Sequence, residues 1–279
     1  MRRSCCPSGL LAAVAVLILP SLATAGDEVL YGGSSTIADT ILNGGAIQGF
    51  QSSTGGARLT IVDVSGTGKG LKALAEGKVN LVGSGRTLTP EEKKAGLLGT
   101  VVGYDGLAVF VNKANPVKGV TRAQLKDIFT GKVKSWKQLG GKDVPVVAFI
   151  EPVASKRATV QLLQELVLDG VAFDPGIREV EQISEQLREV AKSEGAICVA
   201  SVGFLSSAES GVKSAVHTVD LDKMSASNGN IRSGAYLLSR PLLLVTKGLP
   251  GGDTKRFLEY MLSKDGQAIV ERFFVPVRK

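Results

Sequence analysis

The sequence predicts an α/β fold, on three observations. Short runs of β-type residues alternate with helical patterns along the chain. Those helical patterns carry readable ends. Apolar residues make up 44%, charged residues 21% and aromatics 5%, the mix of a globular protein with a sizeable core. Seven apolar runs read as buried strands: Val29-Leu30-Tyr31, Leu59 to Val64, Val79 to Val82, Leu107 to Val111, Val144 to Phe149, Ala196 to Ala200 and Leu242 to Val245. Strand, loop, helix, strand is the order that makes sheets mainly parallel.

The chain begins with Arg2 and Arg3 ahead of an apolar run from Leu10 to Leu19. Pro20 breaks the run, and Ala23-Thr24-Ala25 supplies small residues for cleavage before Gly26. Residues 1–25 therefore read as a secretory signal. Ten apolar residues are too few for a bilayer, which takes about 20. Cleavage of the 279-residue chain leaves 254 residues, with 31 basic against 26 acidic. Cys5 and Cys6 leave with the signal, ahead of its apolar run, where a lipid-modified cysteine does not stand. Cys198 remains alone in an apolar strand pattern and reads as a small buried hydrophobe. No basic run is interleaved with aromatics, so no nucleic-acid partner is expected, while the net positive charge permits attraction of small anions. His217 is the single histidine. That scarcity argues against His-rich metal sites and against most general-base chemistry, so no metal, no cofactor and no enzyme activity are expected.

Helix ends come next. Thr89-Pro90-Glu91-Glu92 joins an N-cap Thr, Pro at the first helical position and a capping-box Glu. Thr121-Arg122-Ala123-Gln124 repeats the box, with Leu125, Ile128 and Phe129 on one face and Gly131 beyond. Val160, Leu163 and Val167 stack at helical spacing, as do Ile183, Leu187 and Val190 before Gly195.

Three strand-to-helix turns carry the candidate chemistry. Tyr31 leads into Gly32-Gly33-Ser34-Ser35-Thr36, Val64 into Ser65-Gly66-Thr67-Gly68-Lys69-Gly70, and Val82 into Gly83-Ser84-Gly85-Arg86-Thr87. Glycines let a ligand approach the backbone, hydroxyls donate hydrogen bonds, and a helix start adds free N–H groups and partial positive charge. Taken alone, each turn reads first as ordinary capping and punctuation, and it is their repetition that points to a ligand site. The second turn is no P-loop, since Asp63 stands where the first Gly belongs and Gly70 where Ser or Thr would hold magnesium. It is no dinucleotide fingerprint either, because Leu71 replaces the third glycine.

Longer stretches are more specific. They are Gly103-Tyr104-Asp105-Gly106-Leu107-Ala108-Val109-Phe110-Val111-Asn112 with Asn115-Pro116, and Leu125 to Lys132 running through Ser135-Trp136 to Gly140-Gly141. Ser239-Arg240-Pro241-Leu242 with Val245 to Gly248, and Ser263 to Gln267, complete the set. Their order and spacing resemble the periplasmic phosphate-binding proteins of ABC transporters, the PstS-like branch of the type II periplasmic-binding-protein fold. The resemblance implies two α/β lobes with a ligand cleft between them, the first lobe from residues 26–111 and 238–279, the second from 112–237. It also implies hinge closure on the ligand. Ser34, Ser35 and Thr36 match the family's first phosphate loop; Ser65, Gly66, Thr67 and Gly68 resemble its second. Arg86 is retained from a Ser-Arg-Pro-Leu segment, and Asp105 is similar to the family's acidic residue near the cleft. Such a carboxylate would favour an anion that still carries a proton. Arg86 reads equally as a structural ion pair, and Asp105 as a turn residue before Gly106.

The second-lobe loop departs from the family's Arg followed by Ser-Gly-Thr. Ile150 takes the Arg position and Ala154-Ser155-Lys156 replaces the triplet, leaving Ser155, Lys156 and Thr159 as donors. The implied function is a monomeric periplasmic solute-binding protein that captures an oxyanion, most simply phosphate, for an ABC transporter permease. A second reading is a divergent scaffold with another ligand or none, acting in sensing or protein contact. A secreted serine hydrolase is a third reading, without a Gly-x-Ser-x-Gly elbow in the sequence.

Overall fold

In the computed structural model, which describes residues 28–155 and 157–278, each of the seven apolar runs overlaps a strand. The signal segment, residues 1–25, and Lys156 lie outside the described residues. The chain opens with β1 (Val29–Gly33), a π-wound segment (Ile37–Ala46) and α1 (Ile47–Thr54). β2 (Leu59–Ile61), α2 (Thr67–Ala75), β3 (Leu81–Ser84), α3 (Pro90–Lys94) and β4 (Leu97–Asn112) follow. The middle holds β5 (Gly119–Val120), α4 (Arg122–Phe129), β6 (Val147–Ile150), α5 (Ala158–Leu166), β7 (Arg178–Glu179) and α6 (Ile183–Lys192). It continues through β8 (Ala196–Ser201), α7 (Val202–Ser207), α8 (Ser210–Ala215), β9 (Val216–Leu221) and α9 (Asn228–Ser233). β10 (Ser239–Lys247), α10 (Gly252–Leu262), α11 (Lys264–Glu271) and β11 (Val275–Pro276) close the chain. Both expected capping boxes form, Thr89 with Glu92 at α3 and Thr121 with Gln124 at α4.

The strands run in the order β2-β1-β3-β10-β4-β8-β6-β7. Expecting a mainly parallel sheet was too simple. β1 pairs in parallel with β2 and β3, and β6 with β7 and β8, but β10 lies antiparallel to β3 and β4, and β4 antiparallel to β8, β9 and β11. The cause is β4, 16 residues long, which the apolar pattern marks only from Leu107 to Val111. Gly99, Gly103 and Gly106 interrupt the run before that. A strand of this length can be joined by a returning partner without a crossover helix, which is what antiparallel pairing allows.

Two separate cores follow from this arrangement. Tyr31, Ile41, Phe50, Leu81, Val102, Leu242 and Phe257 pack together in the first, with Leu71, Val82 and Leu243 on the sheet's other face. Leu107, Val109, Leu125, Trp136, Leu163 and Leu238 build the second, backed by Phe110, Leu187 and Cys198. β4 leaves the first core at Val102 and enters the second at Leu107; the chain returns between Leu238 and Leu242. The molecule is thus a two-lobed α/β fold whose crossings run side by side. Trp136 is fully buried and donates from Nε1 to the Gly195 carbonyl at 2.9 Å, a packing role.

Candidate functional site

The carboxyl ends of β1 and β3 point toward the crossings, and the loops that leave β1 and β2 face α5 of the second lobe. Between them lies a narrow cleft lined by Ser34, Ser35, Thr36, Gly66, Thr67, Glu151, Arg157, Ala158, Thr159 and Arg240.

Three helical segments start at this cleft. Ser34 caps the π-wound segment, its Oγ accepting from the Ile37 N–H at 3.4 Å, while the Tyr31 hydroxyl fixes the loop by donating to the Ser34 carbonyl at 2.7 Å. Gly66 precedes α2 with φ 102°, the left-handed region open to glycine, and a Cβ there would stand 3.0 Å from Arg157 Cγ. α2 itself lies against the β1 turn through Gly70, whose Cβ would come within 2.5 Å of Gly33 Cα. Ala158 and Thr159 open α5. First-turn N–H groups have no intrahelical acceptor, so α2 and α5 both present donors and the positive ends of their dipoles to the cleft.

Two arginines supply full charges, and both were missed as site residues. Arg240 sits on β10 directly opposite Asp105 on β4, so the pair spans the two lobe crossings. Its Nε and Nη2 lie 2.9 and 2.8 Å from Asp105 Oδ2, while the Ser201 hydroxyl donates to Oδ1 at 2.9 Å. The rest of the guanidinium reaches Thr36 Oγ1 at 3.3 Å and Thr159 Oγ1 at 3.5 Å, one from each wall of the cleft. Burial pushes the Asp105 carboxyl above its ordinary value, opposed by the charge and hydrogen bonds of Arg240. Arg157 donates from Nη1 to Glu151 Oε1 at 3.0 Å and to the Glu181 carbonyl at 3.2 Å, and from Nη2 to the Glu181 carboxylate. Its Nε is buried and has no partner among the described residues. One donor of a fixed cation is therefore unspent.

Of the residues singled out in the sequence, Ser34, Ser35, Thr36, Gly66, Thr67 and Thr159 line the cleft. Ser65 turns its hydroxyl to Asp63 at 2.5 Å, Gly68 lies one residue further into α2, and Ser155 donates to the Pro152 carbonyl at 2.5 Å. Asp105 stands behind Arg240 rather than on the cleft wall. Arg86 is engaged elsewhere: Nη1 and Nη2 grip the Glu92 carboxylate at 2.9 and 2.8 Å, and Nε donates to Gln161 Oε1 at 3.1 Å. Lys156 is not among the described residues. Arg240 stood in plain view within Ser239-Arg240-Pro241-Leu242, yet a strand arginine beside Pro carries no sign of where it points. Glu151 and Arg157 lie in the loop that departs from the family pattern, so no motif marked them.

Comparison with known proteins gives a consistent outcome. A family described as the PBP superfamily domain matches residues 20–265. The phosphate-binding protein PstS of Bacillus subtilis (strain 168) is 31% identical over 223 residues, covering 77% of this chain and 70% of the relative. A putative phosphate ABC transporter substrate-binding protein from Clostridium perfringens, solved with bound phosphate, superposes with a TM-score of 0.79 at 29% identity. That superposition covers 90% of this chain and 100% of the other. An ABC-type phosphate transport receptor from Vibrio cholerae shares the fold, with a TM-score of 0.74, 24% identity and coverage of 89% and 99%. The chain belongs to the PBP superfamily, among the PstS-like phosphate-binding proteins.

Proposed function

We propose that this protein is exported through its N-terminal signal, captures inorganic phosphate as a monomer and delivers it to an ABC importer. The observation that carries the reading is the convergence on one small cleft of two helix starts, three hydroxyl residues of the first loop and two buried arginines. Capture needs donors and a closing hinge, and no catalytic chemistry is assigned to the cleft. We place the hinge at residues 103–106 and 238–241, earlier than the 111/112 boundary expected, because Leu107 to Val111 pack with the second core. What supports phosphate over other oxyanions is its protonation. Glu151 is 3% exposed on the cleft wall. A carboxylate there repels a fully ionised anion but accepts a hydrogen bond from one that keeps a proton. In this reading Glu151 takes the selective role first expected of Asp105.

The test is calorimetric titration of the chain from Gly26, stripped of anion by partial unfolding, with phosphate, arsenate and sulfate. One-to-one binding of phosphate and arsenate with sulfate rejected is the expected result. No heat from any of the three, in a folded protein, overturns it. Glu151→Gln keeps the shape, offers an amide donor, and is expected to narrow the phosphate-over-sulfate preference by about tenfold or more, the loss of one charge-assisted hydrogen bond. An unchanged ratio removes Glu151 from that role.

A second reading has one observation in its favour. Each cleft arginine is already matched, Arg240 by Asp105 and Arg157 by Glu151 and Glu181. A scaffold that has given up its anion would look like this, and it leads if the titrations are silent.

A further inference from the structure

Arg86 does not touch the cleft, but its geometry assigns it another task. It follows β3, on the first core, whereas Gln161 belongs to α5, whose Val160 and Leu163 pack in the second core. The Arg86 Nε to Gln161 Oε1 bond, 3.1 Å long, therefore ties one lobe to the other through α5, the helix that starts at the cleft. We propose that Arg86 and Gln161 form a latch that holds the closed state and sets how fast ligand leaves. The proposal rests on the phosphate-capture reading.

The latch is prepared from one side only. The capping box of α3 fixes Glu92, whose Oε2 accepts the Thr89 N–H at 2.8 Å while Thr89 Oγ1 accepts the Glu92 N–H at 3.2 Å. Glu92 then grips both Nη atoms of Arg86, and Nη1 also donates to the Thr87 carbonyl at 2.8 Å. Only the Nε edge is left to face α5. A planar guanidinium held in this way loses little further freedom when the lobes meet. Gln161 has no role on the cleft wall, so its contribution exists in the closed state and vanishes on opening. A bond made in one state alone shifts the population between the two.

The experiment is stopped-flow phosphate binding and release by wild type, Gln161→Ala and Gln161→Glu, beside urea unfolding of the unliganded proteins. Gln161→Ala is expected to speed release about tenfold, as for the loss of one hydrogen bond from a charged donor. Its association rate and urea midpoint should stay unchanged. Gln161→Glu, facing the same guanidinium with a charge, is expected to slow release below wild type. Unchanged release in Gln161→Ala overturns the latch, and so does a faster release accompanied by a lower urea midpoint. If wild type binds no phosphate, the capture reading falls by itself. Small-angle scattering of the unliganded proteins then decides: a larger radius of gyration for Gln161→Ala upholds the latch, and equal radii overturn it.

Discussion

Asp105 is 0% exposed and Arg240 3%, and neither could stand alone in that setting. Taking two ions out of water costs several kcal/mol each, and only close pairing with further hydrogen bonds offsets it. Here Ser201 completes the carboxylate, and Thr36 and Thr159 complete the guanidinium. The pair is thus a device for aiming a cation between two lobes without a net buried charge. Asp105→Asn leaves Arg240 uncompensated and is expected to destabilise the protein by about 3–5 kcal/mol in urea unfolding. Added phosphate should recover part of that loss, since it supplies the missing negative charge. A variant as stable as wild type would show that Arg240 finds another partner.

At the scale of elements, the chain places its polar chemistry at helix starts. α3 is only five residues long, and without its cap it has little to hold it. Thr89→Ala is expected to cost about 1 kcal/mol in urea unfolding, as for other N-cap threonines. The same box carries a pH signature. The Arg86 hydrogen bonds hold the Glu92 carboxyl below its ordinary value of 4.5, so protons prefer the unfolded chain. The stabilisation is present above pH 4.5 and is lost as pH falls through the lowered value. Glu92→Gln should remove that part of the acid sensitivity, read as a smaller drop in urea midpoint between pH 6 and pH 3 (the values chosen for the assay, about 1.5 units either side of the ordinary one). An identical drop in both proteins would mean that Arg86 does not favour ionised Glu92.

Across the whole molecule, two cores joined by two neighbouring strands make a hinge the default expectation. Val202 packs against both cores, and the β4 crossing carries two glycines, Gly103 and Gly106, beside the ion pair. The glycines are not loose, because a Cβ on Gly106 would meet Ile231 Cδ1 at 2.6 Å and one on Gly103 would meet Val270 Cγ1 at 2.8 Å. Close packing on both sides leaves bending to a few backbone dihedrals, which is how hinge folds move.

The sequence by itself determined the alternation of strands and helices, both capping boxes, the buried place of Cys198, and the glycine-bearing turns that follow β1 and β2. These are properties of neighbours in the chain: apolar period, cap chemistry and the glycines of a turn. It did not determine the antiparallel half of the sheet, because glycines hid the first ten residues of β4. Nor did it separate Arg86 from Arg240. Both follow a small residue, Gly85 or Ser239, and both carry five donors. Tertiary structure decided between them: Arg240 is 135 residues from Asp105 yet directly opposite it, whereas Glu92 is six residues from Arg86 and takes it first. An arginine's role is fixed by which carboxylate reaches its fork, and that is a fact about the fold.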